Sequence, residues 1–370
     1  MISAAVLNGI GEDLHVHDDI EQAPPGAGEI KVKVVASGVC HSDLSVQNGT
    51  IPLPTPIVLG HEGAGIVEEI GEGVTSLAPG DHVVLSFVPA CGHCYYCDRD
   101  QAFLCEKSAM AAAGGMLDGS TRLTLGGEPL RQMAMCGTFG NYAIVPEISA
   151  VKIDDDVDLR YAALIGCGVL TGVGAALNTA SIRKGDTVAV IGCGGVGLNV
   201  IQGARIAGAE RIIAIDMFES KLKMAEQFGA TDLVKADDGD PVAAVMGLSG
   251  GRGADVAFEV IGLGATIEQA INMTRNGGEA ILVGVPRMDV MLNLNAAFTF
   301  LYLAKTVKGC WYGSSNVHQD VPKLIQLYKD GELKLEELVS REIGVDGVNE
   351  AFTAMQAGEV ARSLITHVHA

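Results

Sequence analysis

The sequence predicts an α/β protein with two domains, one rich in β-strands and one built on a doubly wound parallel sheet. Its 370 residues suffice for two cores, since a domain usually takes roughly 100–200 residues. The first half carries short apolar runs separated by Gly and Pro, a pattern typical of strands joined by turns. From about residue 170 strands alternate with helices, which predicts a parallel sheet with helices on both faces.

Three segments of the first half predict strands. Residues 29–36 (EIKVKVVA) alternate polar and apolar side chains, as a strand with one buried face does. Residues 63–70 and 81–87 are short apolar runs bounded by turn residues. The polar, Gly-containing segment 122–131 is expected to be a loop or a hairpin.

The second half predicts repeated strand–helix units. The predicted strands cover residues 187–191, 211–215, 255–261 and 279–285, and the predicted helices cover residues 195–207, 218–228 and 265–274. Because helices separate these strands, the strands are expected to run parallel. After residue 311 this alternation ends, and residues 321–329 and 348–357 predict amphipathic helices.

The composition limits the classes of partner. The chain has 25 Lys and Arg against 45 Asp and Glu, a formal net charge of −20. Such a chain offers little basic surface to nucleic-acid phosphates or to an anionic membrane, so neither partner is expected. Hydrophobic residues make up 48% of the chain and charged residues 19%, a balance that excludes a disordered chain.

The sequence also predicts a cytoplasmic location. The N-terminal residues lack the basic start, apolar core and cleavage site of a signal peptide. The most apolar stretch, residues 161–177, contains four glycines and is not expected to span a membrane. The nine cysteines include four within fifteen residues, which suits metal binding in a reducing compartment better than a disulfide framework.

A dinucleotide-binding motif lies in the second half. Residues 192–197 (GCGGVG) fit the pattern G-x-G-x-x-G, directly after one predicted strand and at the start of a helix. In that context the glycines allow a tight turn and the helix N-terminus faces a pyrophosphate. Asp216 ends the next strand, where a carboxylate accepts hydrogen bonds from a ribose hydroxyl and repels a 2′-phosphate. The sequence therefore predicts a Rossmann domain that prefers NAD to NADP.

Four cysteines in the first half predict a structural zinc site. They are Cys91, Cys94, Cys97 and Cys105. Tetrahedral zinc takes four soft ligands, and a closed set of four thiolates leaves no position for a substrate.

A second possible metal site draws on distant residues. Cys40 lies in Cys-His-Ser-Asp, His61 in Gly-His-Glu and Cys167 in Gly-Cys-Gly. Two thiolates and one imidazole would leave zinc an open position for a substrate oxygen. Spacing alone does not reveal this trio, and Cys167 taken singly is better interpreted as a small buried hydrophobic residue.

Together these motifs resemble the zinc-dependent medium-chain alcohol dehydrogenases, along essentially the whole chain. The resemblance is carried by residues 40–43 (CHSD), 60–65 (GHEGAG), 91–105, 166–168 (GCG), 192–197, 284–286 (GVP) and 358–362. It implies a GroES-like catalytic domain over residues 1–168 and 312–370, with a structural zinc lobe at 91–105. It further implies an NAD-binding Rossmann domain over residues 169–311. The implied reaction is reversible hydride transfer between an alcohol and NAD, giving an aldehyde or ketone.

The resemblance assigns roles around a catalytic zinc, so that each chain would carry two zinc ions. The implied ligands are Cys40, His61 and Cys167. Glu62 would be an alternate ligand or would contact the ligands. Asp43 would hold the ring of His61, as second partners of ligating histidines do. Ser42 matches the hydroxyl that takes the proton of the alcohol.

Other positions match the family's cofactor and substrate contacts. The residues implied to bind the cofactor are Gly192, Gly194, Gly195, Val196, Gly197, Asp216, Lys221, His41, Val285 and Arg362. Of these, Lys221 would contact a ribose, and Arg362 and His41 the pyrophosphate. The residues implied to line the substrate pocket are Ile51, Phe87, Met110, Met133, Val285 and Trp311. Their apolar character predicts an apolar primary or aromatic alcohol.

One position departs from the family pattern. Many relatives have a histidine three residues after the relay hydroxyl, where this chain has Ser45. We expect the proton to pass onward through water or through His41.

Two alternative functions stay open at this point. The long insert between Cys105 and Tyr142 is similar to that of the liver-type branch and of the formaldehyde dehydrogenases that act on a thiol adduct of mycothiol or glutathione. In such a formaldehyde dehydrogenase, Lys107 and Arg122 would be the basic pocket residues. A non-catalytic cofactor-binding relative would have lost zinc ligands, whereas all seven candidates are present. The resemblance also implies a homodimer or homotetramer, and the apolar segment 296–304 is either its interface or core.

Overall fold

The computed structural model describes residues 2–111 and 114–369. It divides into two compact units, Met1–Gly168 with Asn316–Ala370 and Val169–Ser315. The second unit extends past residue 311, because the turn that follows this residue forms hydrogen bonds with a helical segment of the same unit. Asn178 Nδ2 donates to Gly313 O (3.4 Å), and the hydroxyls of Thr179 and Ser314 lie 2.8 Å apart.

The strands are numbered along the chain from the N-terminus. They are β1 (Ile2–Leu7), β2 (His15–Gln22), β3 (Glu29–Val39), β4 (Ile57–Val58), β5 (Glu62–Ile70), β6 (His82–Leu85), β7 (Leu123–Leu125), β8 (Glu128–Gln132), β9 (Tyr142–Pro146), β10 (Ala150–Lys152), β11 (Thr187–Ile191), β12 (Arg211–Asp216), β13 (Asp232–Lys235), β14 (Ala254–Glu259), β15 (Thr274–Leu282), β16 (Thr306–Gly309), β17 (Val339–Ile343) and β18 (Arg362–Thr366).

The α-helices are numbered in the same way. They are α1 (His41–Gln47), α2 (Ser108–Ala111), α3 (Leu159–Ala162), α4 (Gly168–Gly174), α5 (Gly195–Ala207), α6 (Glu219–Phe228), α7 (Pro241–Leu248), α8 (Gly264–Met273), α9 (Val317–Lys329) and α10 (Val348–Gln356). Within the described ranges no single helix is long and apolar enough to cross a membrane. One bent pair, Leu159–Gly166 with Gly168–Thr179, passes that test by length and composition alone.

The first unit is rich in β-structure. Strands β1, β2, β7, β8 and β4 close into a barrel, and a second sheet has the order β10-β6-β5-β3-β18-β17, with β9 also paired to β3. The segment predicted as a loop or hairpin is a hairpin, since β7 and β8 pair antiparallel. In the second sheet β3 lies between β5 and β18 and is antiparallel to both. The C-terminal end of β3 therefore lies beside the N-terminal ends of β5 and β18, and the residues at these ends meet in one region.

The second unit is a parallel sheet with the order β13-β12-β11-β14-β15-β16. Strands β11 and β12 pair in parallel, as do β11 and β14. Because the chain leaves β11 toward one side and returns to β14 on the other, the ends of these two strands form the crevice typical of nucleotide sites. The predicted class, a β-rich domain joined to a doubly wound parallel sheet, is confirmed.

Candidate active site and metal centres

Three separate segments of the first unit carry the candidate ligands. Cys40 follows β3 directly and is the N-cap residue of α1. His61 immediately precedes β5, whose Glu62 pairs with Gly38 of β3. Cys167 follows the short helix Ala163–Gly166. The β3–β5 ladder therefore explains why Cys40 and His61, distant in sequence, lie side by side.

The ligand atoms converge as a metal site requires. The side-chain donor atoms of Cys40, His61, Glu62 and Cys167 all lie within 4.8 Å of one another, and all four residues are buried. Nε2 of His61 and Oε2 of Glu62 have no hydrogen-bond partner among the described residues. Since buried polar atoms rarely go unpaired, the two thiols and the free imidazole nitrogen fit zinc.

Asp43 fixes the orientation of His61. Its Oδ1 lies 3.0 Å from Nδ1 of His61 and accepts a 3.1 Å bond from the Gly60 backbone N–H. Its Oδ2 accepts a 2.9 Å bond from the backbone N–H of Cys40. The carboxylate thus contacts both segments that carry ligands and leaves Nε2 of the ring free for a metal.

A buried ion pair lies beside the ligands. Oε1 of Glu62 accepts bonds from Arg362 Nη2 (2.8 Å) and from the Gly168 N–H (3.0 Å). Burial raises the pKa of Glu62 to about 7, although the charge of Arg362 opposes the shift. Gly38 makes room for this pair, because a Cβ there would overlap the free oxygen of Glu62.

The position of Arg362 differs from the role that the resemblance implies. The resemblance places it at the pyrophosphate, whereas its guanidinium is buried and bonds to Glu62 and to the carbonyl of Val39 (3.3 Å). A contact between Arg362 and a phosphate stays a prediction. The pair with Glu62 is absent from the sequence-based expectations, because nothing local in the sequence relates these two residues.

Other predicted residues of the first unit lie at varied distances from the cluster. Ser42 Oγ is 3.8 Å from Cys40 Sγ, and the ring of Phe87 meets that of His61 edge-on, with centroids 5.4 Å apart. Ile51 and Met133 pack in one core cluster. Met110 lies on α2, and His41 is exposed at the start of α1.

The four-cysteine segment forms a second metal cluster. The sulfurs of Cys91, Cys94, Cys97 and Cys105 lie within 4.8 Å of one another. Two of the separations, Cys91 to Cys97 and Cys94 to Cys105, are 4.0 Å. Tetrahedral zinc with bonds of about 2.3 Å needs sulfurs about 3.8 Å apart, so the set fits a closed zinc site.

The glycine-rich motif forms the predicted turn between β11 and α5. Gly192 has a φ of +97°, which only glycine adopts readily, and Gly194 is the N-cap of α5. A side chain at Gly197 would overlap the carbonyl of Gly192. Gly195, Val196 and Gly197 thus form the first turn of a helix whose free N–H groups can meet a phosphate.

Asp216 makes two bonds that local sequence patterns do not indicate. At the end of β12, its Oδ2 accepts from the Cys193 N–H (2.8 Å) and its Oδ1 from the Phe218 N–H (3.0 Å). The carboxylate therefore holds the glycine-rich turn, and its contact with a ribose stays a prediction. Lys221 Nζ lies 5.0 Å from the centroid of the Phe218 ring.

A buried carboxylate in the second unit is missed by sequence reasoning. Glu259 ends β14, and its Oε1 accepts from the N–H groups of Ile261 (2.9 Å) and Gly262 (2.8 Å) and from Thr266 Oγ1 (2.7 Å). It stabilises the loop next to Gly192. Its only signal in the sequence is a charged residue near the end of an apolar strand. In the same unit, Val285 and Trp311 are half exposed, at 51% and 48%.

Family models match both halves of the chain. An alcohol dehydrogenase GroES-like domain matches residues 26–155, and a zinc-binding dehydrogenase domain matches residues 195–330. The chain is 40% identical over 369 residues to the NDMA-dependent alcohol dehydrogenase of Amycolatopsis methanolica, with 98% of each chain covered. The chain belongs to the zinc-dependent medium-chain alcohol dehydrogenases.

Solved structures of this alcohol dehydrogenase family agree. A zinc-binding domain protein of the alcohol dehydrogenases from Burkholderia ambifaria has a TM-score of 0.94 at 34% identity, covering 100% of this chain and 99% of its own. Benzyl alcohol dehydrogenase from Acinetobacter calcoaceticus has a TM-score of 0.93 at 32% identity, covering 99% of each. The protein is thus an oxidoreductase with zinc alcohol dehydrogenase activity.

The thiol-dependent alternative is not favoured. One of its two candidate basic residues is already neutralised, because Arg122 bonds to both oxygens of Glu29 (2.7 and 2.8 Å) and to Asp118 (2.8 Å). Such a guanidinium is poorly available to the carboxylates of a thiol cofactor.

Proposed function

We propose that this alcohol dehydrogenase uses NAD, holds two zinc ions per chain and acts on an apolar primary or aromatic alcohol. The proposal rests on the convergence of the side chains of Cys40, His61 and Cys167. Among the described residues, Nε2 of His61 has no hydrogen-bond partner there. The four-cysteine cluster supports the second ion. A non-catalytic relative would not be expected to keep both complete sets.

The residues around the first cluster have distinct proposed roles. Zinc, when bound, lowers the pKa of an alcohol hydroxyl as it does that of water. Asp43 keeps the His61 ring in the tautomer that binds metal through Nε2. Ser42 Oγ, 3.8 Å from Cys40 Sγ, accepts the hydroxyl proton and passes it toward solvent. Phe87 excludes water beside the ligands.

Asp216 supports NAD as the cofactor. The residue is only 8% exposed, so a 2′-phosphate beside its carboxylate would meet a negative charge in a poorly solvated position. Met217 follows it, where an arginine would be expected in an NADP site. NAD supplies the hydride acceptor when bound.

Replacement of Asp216 by Ala is expected to weaken NADH binding by roughly tenfold or more without creating NADPH binding, because the turn at Cys193 loses its anchor together with the ribose contact. Fluorescence titration with NADH and NADPH measures both affinities. Tight NADPH binding by Asp216→Ala would show that Asp216 only repels phosphate. Thr231→Ala, elsewhere in the same unit, serves as the control.

Two observations support an apolar or aromatic substrate. The ring of Phe87 packs against the His61 ring, which places one apolar aromatic surface beside the ligands. A structural neighbour of this chain is a benzyl alcohol dehydrogenase. We propose that this chain accepts alcohols of similar size and polarity.

A panel of alcohols and aldehydes with NAD and NADP tests the proposed function. We expect aromatic and medium-length primary alcohols to give the highest kcat/KM with NAD. Parallel reactions with added glutathione or mycothiol, and with NDMA because one relative depends on it, identify any further requirement. Activity on formaldehyde only when thiol is present would contradict the proposal.

The Ser45→His variant tests the proton path. An imidazole at this position would accept the proton from the relay and release it to solvent. We expect faster proton release and a turnover that rises at lower pH than in the wild type. The pH dependence of kcat measures this, and an unchanged profile would argue against a relay along α1.

We also propose a homodimer or homotetramer in the cytoplasm. Phe298, Leu301 and Tyr302 are 61%, 72% and 71% exposed, so segment 296–304 suits an interface rather than core. Among the described residues, the nine cysteines are free thiols, as in a reducing compartment. Light scattering measures the mass, and a monomer would contradict the interface.

A further inference from the structure

We propose that Thr138 is a positioning residue for the catalytic zinc ligands. Its hydroxyl, paired with that of Ser37, sets the spacing between the strand that leads to Cys40 and the loop that carries His61. The inference rests on the proposed ligand set, and a zinc-release experiment distinguishes the failure of one from the failure of the other.

Thr138 lies against the loop that contains His61. Its backbone N–H donates to the carbonyl of Gly60 at 3.0 Å. Its Cγ2 packs so closely on Gly63 that a Cβ there would come within 2.5 Å of it. The loop is therefore held on both sides of His61, at Gly60 and at Gly63, by one residue.

Asp43 and Thr138 act on different parts of this loop. Asp43 bonds to Nδ1 of His61 and to the Gly60 N–H, so it fixes the rotation of the ring. The contacts of Asp43 are with the backbone N–H groups of Gly60 and Cys40 and with the ring nitrogen, so the carbonyls on either side of the ring are left to other residues. Thr138 contacts the carbonyls of Gly60 and Glu62, and so it fixes the position of the backbone on both sides of His61.

The hydroxyl of Thr138 joins the two ligand-bearing strands. Thr138 Oγ1 and Ser37 Oγ are 2.6 Å apart, and both residues are fully buried. Thr138 Oγ1 also lies 3.4 Å from the carbonyl of Glu62, and Ser37 Oγ lies 3.4 Å from that of Gly38. One hydroxyl donates to the other, and the remaining proton goes to one of these two carbonyls.

The carbonyls of Gly38 and Glu62 belong to the pair of residues in the β3–β5 pairing that lies nearest the ligands. Gly38 of β3 is paired with Glu62 of β5. Cys40 lies two residues beyond Gly38, and His61 directly precedes Glu62. The distance between the backbones of Gly38 and Glu62 therefore directly affects the distance between the Cys40 sulfur and the His61 ring.

Thr138 is itself supported from the C-terminal segment. The ring of His367 donates from Nε2 to the Thr138 carbonyl at 3.1 Å, and the backbone N–H of His367 donates to Val35 O at 3.0 Å. Burial lowers the pKa of His367 to about 4. The imidazole is therefore neutral near pH 7 and keeps a single N–H for this bond.

A purely steric role for Thr138 would be met equally well by valine. Valine has the same shape, and burying a hydroxyl costs free energy unless the hydroxyl is hydrogen bonded. The hydroxyl's function is thus its bonds to Ser37 and Glu62. Small distortions of a metal site change affinity strongly when a residue behind the ligands is lost.

The test uses the full-length enzyme with zinc bound. Wild type, Thr138→Val and Thr138→Ser are incubated with EDTA while released zinc and remaining activity are followed together. The zinc ion whose release has the same rate as the loss of activity is the catalytic one. The release rate of the other zinc ion is an internal control. Thr274→Val removes a buried hydroxyl of the second unit that donates to the Ile271 carbonyl at 2.8 Å, and it is the matched control variant.

We expect Thr138→Val to release the activity-linked zinc roughly tenfold faster than wild type, since one buried hydrogen-bonded group is lost. The second ion and Thr274→Val should match wild type. Thr138→Ser keeps the hydroxyl but loses the methyl group that packs on Gly63, so it should release the activity-linked zinc more slowly than Thr138→Val. Equal release rates in Thr138→Val and wild type, or equal acceleration of both ions, would overturn the inference. If Thr138→Val does not fold, Ser37→Ala must accelerate the same ion, and its failure to do so overturns the inference too. A wild type without an activity-linked zinc would instead refute the proposed ligand set.

Discussion

Cys40→Ser and His61→Ala are expected to lower kcat/KM by at least roughly a thousandfold while leaving NADH binding intact. Each substitution removes a ligand from the buried cluster, and loss of the metal withdraws several kcal/mol from the stabilisation of developing negative charge on the alcohol oxygen. The proposed cofactor site is built from other residues, 192–197 and Asp216. The assay is steady-state turnover beside NADH fluorescence titration and zinc content.

Two controls make this expectation specific. The Cys136→Ser variant alters a buried thiol outside both metal clusters, whose sulfur lies 3.6 Å from the Ser86 carbonyl, and should retain turnover. Loss of NADH binding in Cys40→Ser would mean that the variant had lost more than its metal. Turnover close to wild type in His61→Ala would refute the assignment of this cluster to catalysis.

Cys97→Ser is expected to reduce stability rather than chemistry. The segment between Cys91 and Cys105 contains only two short 3₁₀ turns, so its fold depends on the four-sulfur cluster. Loss of a structural metal belongs to the few substitutions that cost on the order of 4 kcal/mol. For a chain of this size that lowers Tm by about 5 °C.

Zinc analysis, thermal unfolding and activity at low temperature measure the effect of Cys97→Ser. We expect one zinc per chain, a lower Tm and near-normal kcat for the molecules that remain folded. Asp98→Asn, in the same segment but not a ligand, should leave all three unchanged. A stable Cys97→Ser protein without activity would reverse the structural and catalytic assignments of the two clusters.

The sequence predicted those features that depend on neighbouring residues. The strand Thr187–Ile191 and the helix Gly195–Ala207 lie where the periodicity places them, because burial patterns and glycine turns act over a few residues. The four-cysteine cluster was predictable for the same reason, since all its ligands lie in one short segment.

Features that depend on chain topology could not be predicted from local patterns. Cys167 is uninformative by itself, and only the packing of its turn beside β3 and β5 shows that it meets Cys40 and His61. The pairs Glu62–Arg362 and Ser37–Thr138 join residues 300 and 101 positions apart. No periodicity links such positions, so tertiary structure alone reveals them.

The position of β18 has a consequence for biosynthesis. This strand begins at Arg362 and pairs with both β3 and β17, so residues from the last tenth of the sequence complete the sheet that carries Cys40. The contiguous segment 169–315 can fold while residues 316–366 are still being translated, whereas the interrupted unit must wait for those residues. Until Arg362 has been made, Glu62 has no guanidinium partner, and a chain that stopped before residue 362 would contain every proposed metal ligand without that partner.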